Sequence, residues 1–173
     1  PAATRNNFLG GPRNWCFSTE PEPWMDNRRI SQPRGKVVGG SSSLNGMVFV
    51  RGHREDFNRW EAAGADGWGY DDVLPHFRSM ETCLRGGDAY RGDTGPISVS
   101  RMSDLHPMER AFLEAVDQAG YGLAHDYNGA DQDGGTAFDV NIFNGERSAT
   151  AALISRIRSR PNLTVLTGAH VCL

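Results

Sequence analysis

Cysteine is scarce. Cys16, Cys83 and Cys172 are the three in 173 residues, odd in number and widely separated. That pattern argues against a disulfide framework and against a paired-cysteine metal site, and it makes a reducing compartment the default. Long apolar runs are missing as well: stretches such as Met47 to Val50 are a few residues long, against about 20 for a bilayer span, so no integral membrane segment is read. The net charge of −3, without any Lys/Arg-dense tract, lacks the electrostatic footprint of a nucleic-acid binder. Arg156, Arg158 and Arg160 come closest to a basic patch, and they fall at a predicted helix end, where cations suit the helix dipole. The chain opens on Pro1 instead of methionine and shows no basic-then-apolar leader. No targeting segment is read, a cytoplasmic location is expected with peripheral membrane association as the alternative, and the start is taken as other than the natural one.

Glycine and proline are plentiful, at 21 and 9 residues, and spread throughout, which describes a loop-rich fold of one domain or part of one. The first 33 residues read as extended and irregular, because the prolines of "TEPEP" push their neighbours out of helical geometry. "REDFNRWEAAG" predicts a helix ending on Gly64. "DDVLPHFRSMET" predicts a second, with Val73, Leu74, Phe77 and Met80 on one side and Pro75 near enough to its start to be tolerated. A third runs from Pro107 to Ala119, with Met108, Ala111, Phe112, Ala115, Val116 and Ala119 as its buried stripe and Gly120 as its stop. A last helix starts from Ser148 as N-cap, buries Ala149, Ala152, Leu153 and Ile157, and ends before Pro161. "NLTVLTGAHV" then reads as a strand broken at Gly168, with "GPISVS" the one clear candidate to pair with it. Trp15, Trp24, Trp60 and Trp68 are assigned to the core.

The segment "RGKVVGGSSSLNGMVFVRG", residues 34 to 52, places Gly39-Gly40-Ser41-Ser42-Ser43 between apolar flanks. Gly/Ser runs are commonly linkers. Here the flanks, Val37-Val38, Leu44 and Met47 to Val50, read as core and put the small residues inside the fold, where backbone amides must find partners. Successive amides and serine hydroxyls then form a concavity suited to an anionic or hydrogen-bond-rich ligand. The phosphate-loop pattern is absent, and the dinucleotide fingerprint fails because Asp72 and His125 stand where Gly67-Trp68-Gly69 and Gly120-Tyr121-Gly122 require a third glycine. Spacing therefore gives a polar cradle and no ligand name. His76, His106, His125 and His170 are read as structural, and His53, nearest the cradle, is the one histidine singled out for function. Asp126, Asn128, Gly129, Asp131 and Asp133 lack the glutamate that closes a calcium loop and are read as a turn-rich loop, so no metal site is assigned.

"PRGKVVGGSSSLNGMVFVRGHREDFNRW" resembles the first diagnostic motif of the glucose-methanol-choline (GMC) oxidoreductases, FAD-dependent enzymes that oxidise alcohols, and looks most like their choline dehydrogenase branch. "NWCFSTEPEP", "GWGYDDVLPHFRSME", "YRGDTGPISVS", "AFLEAVDQAGY", "DYNGADQDG", "GERSATAALI" and "RPNLTVLTGAHV" resemble further family blocks in the family's order. The resemblance implies a mixed α/β (α+β) fold, a partial FAD-binding domain with part of a substrate-binding domain. The FAD-contacting segments would be about residues 30–55 and 145–173, and the substrate-domain portion about 84–144. It implies FAD contacts at Lys36, Val37, Gly39, Gly40, Ser41, Asn45, Gly46, Met47 and Val48, and a backbone contact to the adenine end at Val171. Some relatives carry a covalently linked histidine at the position of Leu44, so leucine implies FAD held without a covalent bond. The family's nucleotide-binding turn would precede Pro1 and its histidine base would lie beyond Leu173, so no catalytic residue is expected here. The implied function is a fragment of an oxidoreductase acting on the CH–OH group of a small alcohol, choline among the possibilities, with the electron acceptor unknown and the isolated chain inert. A flavin- or nucleotide-binding piece without turnover, and a purely structural piece, are the alternatives.

Overall fold

A computed structural model describes residues 10–148 and 150–171. The fold is mixed α/β, and the chain divides into two compact units: one holds the residues up to Gly46 and those from Ala149 onward, the other Met47–Ser148.

The first unit is built on an antiparallel ribbon. Strands β1 (Phe17–Ser18) and β2 (Ser31–Gln32) pair Phe17 with Gln32, and the pairing continues outward through Trp15 N–H to the Arg34 carbonyl (2.9 Å) and Lys36 N–H to the Arg13 carbonyl (2.8 Å). Asn14, buried, ties the two arms together: its Oδ1 accepts from the amides of Cys16 and Arg34, both at 2.9 Å. The ribbon turns at a 3₁₀ turn over Pro23–Met25, followed by Asp26 and Asn27 in the left-handed region. The segment "GSSS", Gly40–Ser43, is also a 3₁₀ turn, entered through Gly39 at φ 87°. Helix α4 (Thr150–Ile157) follows in this unit, and the expected burial of Ala149 lies outside the described residues.

The second unit carries α1 (Arg54–Ala62), α2 (Tyr70–Met80), β3 (Glu81–Cys83), β4 (Ile97–Arg101), α3 (Pro107–Gln118), β5 (Asp139–Val140), β6 (Ile142–Phe143) and β7 (Glu146–Arg147). β4 is central, parallel to β3 and antiparallel to β5. β6 and β7 form a hairpin closed by Asn144-Gly145, both at positive φ, the dipeptide that suits the twist of a two-residue turn. The apolar core gathers Val99, Cys83, Val140 and Tyr127, with an aromatic cluster of Phe57, Trp60, Tyr70 and Phe77 between α1 and α2.

Several expectations need correction. Residues 163–171 form no strand, and the strand in "GPISVS" pairs instead with β3 through Ile97–Val99 and with β5 through Ser100 and Arg101. Helix α3 starts and stops as its residues dictate, capped by His106 and ended near Gly120 at φ 84°, but of its expected stripe only Val116 faces inward, with Met108 71% and Phe112 67% exposed. Its inner face is Leu113 and Val116, which crowd Gly135. Pro75 lies in the interior of α2, five residues past Tyr70, rather than at its start. Trp24 is 98% exposed, Trp60 and Trp68 are about half exposed and Trp15 is only partly buried, so none of the four tryptophans is fully core.

Candidate functional site

The first unit contains a cavity of about 650 Å³, within the roughly 300–1,000 Å³ usual for ligand sites. Two segments far apart in sequence form its walls, Gly35 to Val38 and Leu166 to His170, and Trp15 closes one side. Trp15 stacks on Phe17 (ring centroids 5.9 Å apart), meets His170 at 4.8 Å, and carries the Lys36 ammonium 4.6 Å above its ring centroid. The lining thus offers a flat aromatic, a cation and stretches of small-residue backbone. Gly35 is required locally: a Cβ there would overlap the Gly40 carbonyl, so only a residue without a side chain lets the two segments pass.

The residues singled out from the sequence fall in different places. Lys36 and Val37 line the large cavity. Ser41 and Asn45 line a neighbouring small one of about 60 Å³, with Gly35 shared between them. Gly39, Gly40 and Gly46 line neither. Val171, 85% exposed, follows directly on the lining residue His170. Met47 and Val48 belong to the second unit.

The glycine-serine segment is not the open concavity of donors expected of it. Gly40 N–H donates to the Val37 carbonyl (2.8 Å) and Ser42 N–H to that of Gly39 (3.2 Å). The hydroxyls of Ser42 and Ser43 donate to the carbonyls of Gly39 (2.6 Å) and Val38 (2.9 Å). A compact turn satisfies these groups internally, because glycines at positive φ allow the chain to close on itself. The flanks are also less buried than expected: Leu44 is buried, whereas Val38, Val48 and Val50 are exposed.

Two of the histidines serve as helix caps. His53 is the N-cap of α1, its Nδ1 accepting from the Glu55 amide at 3.2 Å, a structural role that removes the reason for singling it out. His106 does the same for α3, accepting from Met108 N–H at 3.2 Å while Glu109 accepts from the His106 amide at 2.7 Å.

The second unit holds a charge network that no sequence pattern announced. Glu81, fully buried, accepts from Arg51 Nη2 (2.7 Å), Arg91 Nε (2.8 Å) and Gly92 N–H (3.0 Å) through one oxygen. Arg91 Nη1 also reaches Asp126 and Asp139, each at 2.8 Å, and Arg101 Nε donates to Asp139 at 3.1 Å. Burial opposes the Arg91 charge, but its hydrogen bonds to Glu81 and Asp139 outweigh burial and raise its pKa. For Arg51 burial wins over the attraction of Glu81 and lowers the pKa. Asp126 is disfavoured by burial yet ends lowered, held ionised by the Asn128 amide and by Arg91 and Arg85. The partners of Arg91 in this network lie 10 to 48 positions away in the chain, so no local spacing could have revealed it. Asp131, by contrast, accepts the Asp133 amide at 3.1 Å in an ordinary turn.

Against this geometry, comparison with known proteins is specific. The oxygen-dependent choline dehydrogenase of Rhizobium etli (strain CIAT 652) is 51% identical over 156 residues, 90% of this chain and 28% of that protein. The mitochondrial choline dehydrogenase of Mus musculus is 48% identical over 164 residues, 94% of this chain and again 28% of that protein. Among solved structures, pyridoxine 4-oxidase from "Mesorbium loti" superposes with a TM-score of 0.85 at 37% identity, covering 92% of this chain and 32% of that one. An FAD-dependent oxidoreductase from Chaetomium thermophilum gives 0.82 at 26% identity, covering 90% and 29%. The chain therefore spans less than a third of the length of these relatives. No helix among the described residues is long and apolar enough to cross a membrane. The family model described as GMC oxidoreductase matches residues 10–172, and this chain belongs to that family.

Proposed function

We propose that this chain is the flavin-contacting part of an FAD-dependent oxidoreductase acting on the CH–OH group of a small alcohol, with a choline-like substrate indicated by its dehydrogenase relatives. One observation carries the reading: two segments that the family resemblance independently ties to FAD, the stretch from Lys36 and the block ending in Val171, run along or into a single cavity. The residues fit the group. The cavity is large enough for part of a dinucleotide, and Gly35, Thr167, Gly168 and Ala169 in its walls leave room for a ligand beside the Lys36 cation. Bound FAD would supply the two-electron chemistry of alcohol oxidation.

The chain's own residues have narrower tasks. Lys36, Val37, Gly39, Gly40, Ser41, Asn45, Gly46, Met47, Val48 and Val171 are the proposed cofactor-binding set, with Lys36 positioned to face an anionic group. Leu44 is buried and has no nucleophile, which supports non-covalent binding. The base is assigned to a part of the protein beyond Leu173, as the family resemblance implies, and the chain by itself is expected to be inert. Segments 30–55 and 145–173 form the flavin-facing portion and 84–144 the substrate-side portion. Cytoplasmic residence accompanies this reading, supported by the unpaired thiols of Cys16 and Cys83.

The test exchanges the matching stretch of the Rhizobium etli choline dehydrogenase for residues 10–171. A soluble chimera should copurify with FAD that heat denaturation releases completely, and should oxidise choline. A soluble chimera devoid of flavin would refute the reading, and choline oxidation by the 173-residue chain alone would refute its inertness.

A further inference from the structure

Segment 47–51, "MVFVR", is held unusually for a chain whose side chains are half outside. Val48 and Val50 are exposed, so apolar burial does not fix it. Backbone pairing with β5 supplies part of the restraint: Phe49 N–H donates to the Asp139 carbonyl (2.8 Å), and Asn141 N–H to the Met47 carbonyl (3.0 Å). Past Phe49 the side chain of Asn128, almost wholly buried and with its Nδ2 3.4 Å from Asp139 Oδ2, continues this pairing. Its Nδ2 donates to the Phe49 carbonyl (3.1 Å) and its Oδ1 accepts from the Arg51 amide (2.8 Å). Tyr127 completes the clamp, its hydroxyl donating to the Phe49 carbonyl (2.7 Å) and accepting from the Asp139 amide (2.8 Å). Asn128 is itself fixed, its amide donating to Asp126 at 3.0 Å.

At the start of the segment Met47 sits at φ 66°, a left-handed backbone that a non-glycine residue keeps only when its surroundings over-determine it. The Asn141 amide on its carbonyl and the clamp on Phe49 and Arg51 hold the chain on its C-terminal side.

We propose that Asn128, assisted by Tyr127, is a positioning residue of the cofactor site, which fixes segment 47–51 and thereby the placement of Met47 and Val48. This rests on the reading above in which Met47 and Val48 contact the flavin.

The test uses the full 173-residue chain, unaltered and as Asn128→Ala, Asn128→Asp and Tyr127→Phe, with two readouts: residue-resolved amide exchange, and FAD affinity from flavin fluorescence on titration. Asn128→Ala removes both bonds and should speed exchange at Arg51 about tenfold or more, with Phe49 following and the amides of α3 unchanged. Asn128→Asp keeps an acceptor for Arg51 N–H and should restore protection there but not the bond to the Phe49 carbonyl. FAD affinity should fall about tenfold in Asn128→Ala and less in the other two. Unchanged exchange at Phe49 and Arg51 overturns the proposal. Faster exchange with unaltered FAD affinity also overturns it, since the clamp is then only structural. Should Asn128→Ala unfold, Tyr127→Phe, which loses a single hydroxyl, decides by the same two criteria. If the unaltered chain binds no FAD, FAD retention is compared instead in the chimera described above, with and without Asn128→Ala: equal retention overturns the proposal, whereas a chimera devoid of flavin refutes the functional reading itself.

Discussion

Replacing Glu81 by glutamine removes one charge and almost no volume, so it isolates the electrostatic part of the buried network. The geometry sets what should survive. One carboxylate oxygen takes three donors, from Arg51, Arg91 and Gly92, and a glutamine carbonyl can keep all three. The other faces only Arg91 Nη2 at 3.4 Å, where the new NH₂ would set donor against donor. Two contacts between ions become contacts between an ion and a dipole, each weaker by about 1 kcal/mol. The guanidiniums of Arg51 and Arg91, with side chains 2% and 1% exposed, also lose the charge that separates them. Breaking a buried pair outright costs about 3–5 kcal/mol, so Glu81→Gln should lie at about 2–4. Equilibrium urea unfolding of the chain measures it. With a slope of about 2 kcal/mol per molar, the midpoint should drop by about 1–2 M while the slope stays constant. A loss below about 0.5 kcal/mol would show that the network is replaceable and refute the reasoning. A cycle with Arg51→Met should then show strong coupling, because that residue and Arg91 share one oxygen of Glu81.

Gly35→Ala must push a Cβ into the Gly40 carbonyl, and should destabilise the chain by about 1–3 kcal/mol and shift the near-ultraviolet signal of Trp15; an unchanged midpoint would count against so close a crossing of these segments. Met47→Gly relieves a left-handed backbone worth about 1–2 kcal/mol but adds freedom to the unfolded chain worth about 0.5–1, so a neutral to slightly stabilising change is expected, and a clear loss in the melting midpoint would contradict it. Asp126 titrates below its ordinary value when folded, so the unfolded chain binds the extra proton. Its contribution is complete above about pH 5 and is lost as pH falls through the lowered folded value. Urea midpoints taken from about pH 6 down to about pH 3 should fall, and Asp126→Asn should flatten that fall; equal slopes in both proteins would rule the assignment out.

The helices were legible because their signals are local. The ends of α1 and α3 follow from Gly64 and Gly120, both at positive φ, and from residues whose spacing fits one turn. What they pack against was not legible: the stripe of α3 marks an apolar face, but nothing within the helix says whether Met108 and Phe112 meet a neighbour. Residues 163–171 failed as a strand for a related reason, since β-propensity describes a willingness to pair and the partner is set elsewhere. At the site, the motif drew attention to the stretch from Lys36 and to the terminal block, and the cavity brings those together. The hydroxyls and amides of the serine turn misled because a pattern of donors does not reveal that a 3₁₀ turn will satisfy them from within. Asn128 and Tyr127 carried no signal as a pair, since their partners in the clamped segment lie 77 to 79 positions away.

The clamp at segment 47–51 has an implication for alignment. Asn128 matches an acceptor at Phe49 and a donor at Arg51, so it recognises a phase as well as a place. A slide of the segment by a single residue, which would exchange the inward and outward sides of every residue along it, breaks both matches together. One amide side chain can thus reinforce, past the last bond to β5, the register that Asp139 and Asn141 begin.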